Sequence, residues 1–168
     1  MKIMNFTPLS HGAKRTAMAN KALRTAQLVT REVDLPQELS QCYEVLKELR
    51  SGLSLEDFHL VYSQAKERDQ FTLVAIFRGR ECIAVMGLRV LYDFIHGKHL
   101  YIDDLVVTET QRSKGLGKNL LGYAELLASQ QACNGLRLCT GSAALSAQDF
   151  YQANGWESRA VVFKKGLK

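Results

Sequence analysis

The sequence predicts one mixed α/β (α+β) domain, and three observations carry that prediction. The chain has 168 residues, enough for a single domain with a full core, and its 46% hydrophobic and 23% charged residues match ordinary globular usage, so wholesale disorder is excluded. Stretches rich in β-branched and aromatic residues alternate with stretches whose apolar residues recur every three or four positions. Their order is a strand, two helices, three strands, then helix, strand, helix and strand, with no internal repeat. No apolar run approaches the roughly 20 residues that span a bilayer, so no membrane partner is expected.

Residues 26–33 read as a short first strand, ended by Asp34 and Pro36. Pro36 suits a first helical position and introduces a helix over 37–50, with Leu39, Tyr43, Leu46 and Leu49 on one face. Gly52 interrupts that pattern. Ser54-Leu55-Glu56-Asp57 resembles a capping box and opens a second helix with Leu55, Phe58, Val61, Tyr62 and Ala65 on its apolar face. His59, on the same helix, reads as a surface or packing residue.

Strand chemistry then takes over. Residues 71–77 form a strand, Arg78-Gly79-Arg80 a turn, and 81–91 the antiparallel return. Gly97 punctuates the next connection before a strand over 99–107. Leu116, Leu120, Leu121, Tyr123, Ala124 and Leu127 give helical spacing over 115–131. Residues 136–140 read as a short strand, 143–153 as a helix and 156–165 as a terminal strand region.

The net charge of +5 is unevenly spread. Residues 1–31 hold six Lys or Arg and no acid, leaving 16 basic and 17 acidic residues in the rest of the chain. Residues 1–24 lack sustained apolar periodicity and are expected to be a basic N-terminal extension, flexible and dispensable for folding, with the domain proper at 25–168. An acid-free basic start also resembles an organelle-targeting leader, but it has no apolar stretch suited to secretion. The body carries no basic excess, and the extension offers only Phe6 for base stacking, so nucleic acid is not an expected partner. Cys42, Cys82, Cys133 and Cys139 form no CxxC pair and have no His at metal-ligand spacing. They read as buried free thiols in a reducing, cytoplasmic setting, and no metal site is expected.

Chemistry concentrates where Tyr101-Ile102-Asp103-Asp104-Leu105-Val106-Val107 is followed by Arg112-Ser113-Lys114-Gly115-Leu116-Gly117-Lys118. A strand runs into a glycine-bearing loop that opens a helix. Such a helix start offers unpaired N–H groups and the positive end of the helix dipole, which together suit a phosphate. Gly115 and Gly117 would let the backbone approach a ligand closely, with Arg112, Lys114 and Lys118 adding charge. Two familiar phosphate loops fail here. A Walker A loop needs Gly where Arg112 stands and Ser or Thr where Asn119 stands. A dinucleotide fingerprint from Gly115 needs Gly or Ala at Leu120.

Arg112-Ser113-Lys114-Gly115-Leu116-Gly117 resembles the Arg/Gln-x-x-Gly-x-Gly/Ala signature of the GNAT superfamily of N-acetyltransferases. Ala147-Gln148-Asp149-Phe150-Tyr151-Gln152-Ala153-Asn154-Gly155-Trp156 is similar to its A-x-x-(F/L)-Y-x-x-x-G-(F/W) segment, in the usual order and separation. The resemblance covers about residues 26–165. It implies a mixed, twisted sheet flanked by helices and splayed between its fourth and fifth strands, with acetyl-CoA as cosubstrate entering the opening. The backbone of Leu105, Val106 and Val107 would hold the pantetheine arm, and Arg112 through Lys118 would cradle the pyrophosphate. Ser113 departs from a frequent Gly, and Ala144 from a frequent cofactor-contacting Asn, so that Asn contact is absent.

The implied activity is transfer of acetyl to a primary amine, of a small molecule or of a peptide, by direct attack in a ternary complex. The rival is a catalytically silent module that senses acyl-CoA or binds protein on the same fold. At pH 7 only about one lysine-like amine in 2,500 is neutral, so a carboxylate base is wanted. Asp103 and Asp104 are the candidates, Asp103 the favoured one. In a regular strand they point to opposite faces, whereas a bulge would let both approach the acceptor. Tyr151 matches the family's general acid for the departing thiolate, and N–H groups at Val106 and Val107 would stabilise the oxyanion. The resemblance is also compatible with a homodimer.

Overall fold

The structure, a computed structural model, describes residues 27–33 and 35–167. The extension expected over residues 1–24 lies outside the described residues. Five strands and four α-helices follow in order: β1 (Leu28–Glu32), α1 (Pro36–Leu46), α2 (Leu55–Asp69), β2 (Thr72–Arg78), β3 (Glu81–Asp93), β4 (Gly97–Val107), α3 (Leu116–Gln130), β5 (Leu136–Leu138) and α4 (Leu145–Ala153), with a 3-10 turn at Glu109–Gln111 between β4 and α3.

The sheet runs β1-β2-β3-β4-β5. Its first four strands are antiparallel, as short hairpins at Gly79 and Gly97 allow, and both glycines have positive φ. β5 returns parallel to β4 after the α3 crossover. Period-two alternation along β2 sorts its side chains to two cores. Leu73, Ala75 and Phe77 pack with Cys42, Val45, Leu46 and Phe58 under α1 and α2. Val74 and Ile76 pack with Leu116, Leu120, Leu121 and Ala124 of α3 on the other face. The sheet is therefore covered by helices on both faces, as the apolar stripes of α1 and α3 require.

Local signals explain the ends. Pro36 opens α1 at its first position. Ser54 Oγ accepts from the Asp57 N–H at 3.0 Å and donates to the Asp57 carboxylate at 2.7 Å, closing the start of α2, a cap worth about 1 kcal/mol. The apolar face expected on α2 is absorbed only in part: Phe58 is buried, Tyr62 and Ala65 are half-buried, and Leu55 and Val61 are exposed.

Three expectations are corrected. Residues 156–165 form no strand, and Val161, Val162 and Phe163 are exposed. Their β propensity finds no ladder to join, because β5 is three residues long, and propensity without a packed partner does not make a strand. Helix α1 ends at Leu46, four residues short of the spacing-based boundary. The cysteines are not uniformly buried: Cys42 and Cys82 are, Cys133 is half-buried, and Cys139 is exposed just beyond the short β5. No helix among the described residues is long and apolar enough to cross a membrane.

Candidate active site

β4 and β5 pair only from Leu100 to Ile102 against Leu136 to Leu138. Beyond Ile102, β4 runs on through Asp103, Asp104, Leu105, Val106 and Val107 with β3 on one side and no strand on the other. The sheet is splayed between its fourth and fifth strands. A bulge sits at the parting: Gly87 pairs with Asp104 and Leu88 with Ile102, so Asp103 is the extra residue. Bulges bend a strand and raise its twist, which suits the point where two strands separate.

The chain then turns through Glu109–Gln111 into the glycine loop. Arg112 is fixed at both ends, its Nε donating to the Val107 carbonyl at 3.1 Å and its Nη2 to Glu48 at 3.2 Å. Glu48 also accepts from the Thr108 hydroxyl and from the Glu109 N–H at 2.9 Å, tying the end of α1 to this loop. Lys114 donates to the Thr110 carbonyl at 2.9 Å and to the Gln111 side chain at 3.0 Å. Ser113 and Gly115 both have positive φ, 60° and 79°. The left-handed bend at Ser113 explains why a glycine is at home there.

Gly115 is the N-cap of α3 and no side chain caps that terminus. Its first turn holds no acid, and Lys118 lies within it. The amides of that turn and the positive helix end therefore face an anion-sized need. The two glycines play different parts. A Cβ at Gly115 would meet nothing within 4 Å, whereas one at Gly117 would stand 2.9 Å from Phe150 Cζ of α4. Gly117 thus serves the close approach of α3 and α4, a packing role that spacing alone could not separate from ligand access.

That contact sets α4 beside the start of α3, and Tyr151 packs against the core cluster that contains Leu116. Tyr151 is half-buried between Phe150 and Trp156, with ring centroids at 5.2 and 5.8 Å. Burial pushes its phenol above the ordinary value, so it stays protonated at neutral pH. Tyr101, on β4 opposite Arg137 of β5, is pushed up to about 12, chiefly by burial and then by a hydrogen bond with the Cys139 side chain.

Asp103 and Asp104 lie on the α1/α2 side. Both line a cavity of about 630 Å³, walled by Leu46, Leu49, Leu53, Phe58, Val61 and Tyr62. The bulge is what brings consecutive residues to one cavity. Arg89 grips Asp103 with two hydrogen bonds, Nε to Oδ2 at 2.8 Å and Nη2 to Oδ1 at 2.7 Å, and reaches Asp69 at 2.7 Å. Arg50 sends both its contacts to a single oxygen of Asp104, Nε to Oδ1 at 2.8 Å and Nη2 to Oδ1 at 2.6 Å. Oδ2 of Asp104 accepts no hydrogen bond among the described residues. Tyr151 is not part of this cavity; Leu105, which follows Asp104, joins the acid pair to the open edge of β4.

Sequence reasoning missed Arg50, Arg89 and Glu48. Arg89 left a signal, a lone cation in an otherwise apolar strand, which calls for an acid on a neighbouring strand. Arg50 and Glu48, in the turn beyond α1, left none. Among the described residues no group of three or more His, Cys, Asp or Glu could hold a metal ion.

A model of the acetyltransferase (GNAT) family matches residues 34–156. The chain belongs to the GNAT acetyltransferase family. Its match spans α1 through Trp156 and so contains the splayed strands, the glycine loop and Tyr151. A Bacillus subtilis (strain 168) protein named as an uncharacterized N-acetyltransferase, YhdJ, is 29% identical over 130 residues, covering 77% of this chain and 92% of that one. Among solved structures, the aminoglycoside N-acetyltransferase AAC(6')-Iy in complex with CoA superposes with a TM-score of 0.75 at 16% identity, covering 84% of this chain and 97% of its own. An acetyltransferase of Trypanosoma brucei gives 0.70 at 20% identity, covering 84% and 100%. At these identities the structures speak to the fold, which is the single GNAT fold. The enzyme is an acyltransferase.

Proposed function

We propose that this GNAT enzyme transfers acetyl from acetyl-CoA to a primary amine by direct attack in a ternary complex. The observation that carries the reading is a continuity: Asp104 lines an acceptor-sized cavity and already lies on the open β4 edge, which runs on through Leu105 towards the uncapped start of α3. An acceptor and a thioester could thus meet without a covalent relay. The structure of AAC(6')-Iy with the bisubstrate analogue CoA-S-monomethyl-acetylneamine is consistent with such a ternary geometry in that relative.

Acetyl-CoA supplies the electrophilic acyl group and a thiolate leaving group. The residues present fit it: open space faces Gly115, the first turn of α3 lacks both a cap and an acid, and β4 has a free edge. Backbone groups of Leu105, Val106 and Val107 would orient the pantetheine arm. The amides of Leu116, Gly117 and Lys118 would hold the pyrophosphate, with Arg112, Ser113, Lys114 and Gly115 shaping the loop around it.

For the base the choice moves from Asp103 to Asp104. Both oxygens of Asp103 are occupied by Arg89, whereas Asp104 Oδ2 remains available to take the ammonium proton directly or through water. Tyr151, neutral and half-buried, is the proposed donor to the thiolate. The four free cysteines support a reducing, cytoplasmic setting.

The test is CoA release over a matrix of acetyl-CoA and amine concentrations. Intersecting double-reciprocal lines and loss of turnover in Asp104→Asn, with acetyl-CoA affinity kept, are expected. Parallel lines would refute direct attack. Tight acetyl-CoA binding with no release on any amine would instead favour a silent acyl-CoA sensor.

A further inference from the structure

We infer that the acceptor is a small primary amine carried on an apolar body, an arylalkyl or branched alkyl amine, and that the site discriminates against polycations. This rests on the amine-acetylation reading above and names its substrate class.

The cavity holds two carboxylates, and each is matched by a guanidinium lining the same cavity: Asp103 by Arg89 and Asp104 by Arg50. Asp69 shares Arg89, so the cluster sets three carboxylates against two guanidiniums, a single surplus negative charge where several ammonium groups would need more. What remains is one unengaged carboxylate oxygen, Asp104 Oδ2, which suits one ammonium.

Val61 on α2 and Leu49 after α1 are 57% and 44% exposed, yet both line the cavity with Phe58 and Tyr62. The apolar face of α2 is thus only partly consumed by the core, and of the exposed remainder Val61 faces the cavity whereas Leu55 does not. At about 630 Å³ the space is within the range of small-ligand sites, where apolar walls bind the body and a few polar groups orient it.

The pairing of the polar lining also separates a small molecule from a peptide. A peptide carries backbone N–H and C=O groups that must find partners when desolvated. Here Arg50, Arg89 and Asp103 are already paired. A compact amine with one polar end leaves no such groups unmatched.

The experiment uses the full chain and two readouts. CoA release is compared for phenethylamine, isoamylamine, spermidine, kanamycin and an Ala-initiated peptide. Separately, phenethylamine binding to the CoA-saturated protein is measured by calorimetry. The expected result is kcat/KM at least tenfold higher for the two apolar amines than for the others, and saturable phenethylamine binding. Val61→Lys, an exposed substitution, should weaken phenethylamine binding at least fivefold and leave acetyl-CoA affinity unchanged. Faster turnover of spermidine, kanamycin or the peptide would overturn the acceptor class while leaving amine acetylation standing. Saturable phenethylamine binding, sensitive to Val61→Lys but without turnover of any amine, would uphold the cavity's preference and sink the catalytic reading. Phenethylamine binding indifferent to Val61→Lys would overturn the inference outright.

Discussion

Asp103 and Asp104 are consecutive residues of β4 that line the same cavity, because Asp103 is the unpaired residue of a β-bulge between Ile102 and Asp104. In a regular ladder one of the two would face α3 instead. The bulge falls where β4 leaves β5, so one irregularity both opens the sheet and doubles the acids on the acceptor side. The two acids are then held differently: Arg89 closes both oxygens of Asp103, and Arg50 closes one of Asp104.

That difference makes Asp103 a scaffold for the bulge. Asp103→Asn should lower stability by about 1–2 kcal/mol, the scale of a charge-assisted pair discounted for partial exposure, because Arg89 keeps Asp69 as a second partner. Asp104→Asn, with its partner half exposed, should cost less than half as much yet reduce turnover far more. Urea denaturation midpoints set beside initial rates check both; a larger stability loss at Asp104 would reverse the assignment.

Gly117 and Gly122 lie on the same helix and should respond oppositely to alanine. At Gly122 a Cβ meets nothing within 4 Å, so Ala should stabilise by about 0.5–1 kcal/mol, the ordinary helical gain. At Gly117 the Cβ runs into Phe150 at 2.9 Å, and overpacking should turn the gain into a loss of about 1 kcal/mol. Phe150→Leu in the Gly117→Ala background should recover most of that loss. Thermal melts of the four proteins decide it; equal gains at both positions would show that Phe150 yields freely.

At the β3–β4 hairpin, Asp93 is held at about pKa 2, chiefly by the backbone N–H of His96 and then by its imidazole. A folded-state value below the unfolded one of about 3.9 stabilises the fold above that pH. The contribution disappears as pH falls from about 4 through 2. Asp93→Asn should therefore differ from wild type at pH 6, close most of the gap by pH 2 and converge only below it, in denaturation curves taken across that range. A constant gap at every pH would mean that the carboxylate's charge contributes nothing.

Much of this was legible in the chain because the signals were local. Runs of β-branched and aromatic residues marked β2, β3 and β4, Ser54 and Pro36 opened their helices, and the Gly115 loop marked the start of α3. What stayed hidden depends on partners distant in sequence. The bulge exists only in the register of β3 against β4, and Arg50 meets Asp104 across 54 residues. The apolar face of α2 looked like core, but a cavity takes part of it, since periodicity reports that a face is apolar and not what it meets. Residues 156–165 had strand composition and no ladder to join.

Tyr151 and Tyr123 offer the sharpest test of the proposed chemistry. Burial raises both phenols above the ordinary value, so protonation at neutral pH does not distinguish them. Position does. Tyr151 follows Phe150, which touches Gly117 at the start of α3, whereas Tyr123 lies two turns into α3. Tyr151→Phe removes one oxygen and keeps the ring between Phe150 and Trp156, so stability and acetyl-CoA affinity should stay within error. Turnover with chemistry rate-limiting should fall by roughly 10²–10⁴-fold, the worth of a positioned acid. Tyr123→Phe should keep its rate. The pH profile adds a second readout: a donor with a raised pKa must be protonated to act, so the wild-type rate should decline only above about pH 10, and that alkaline limb should vanish in Tyr151→Phe. Equal turnover by wild type and Tyr151→Phe would remove this phenol from the mechanism and leave protonation of the thiolate to water or another side chain.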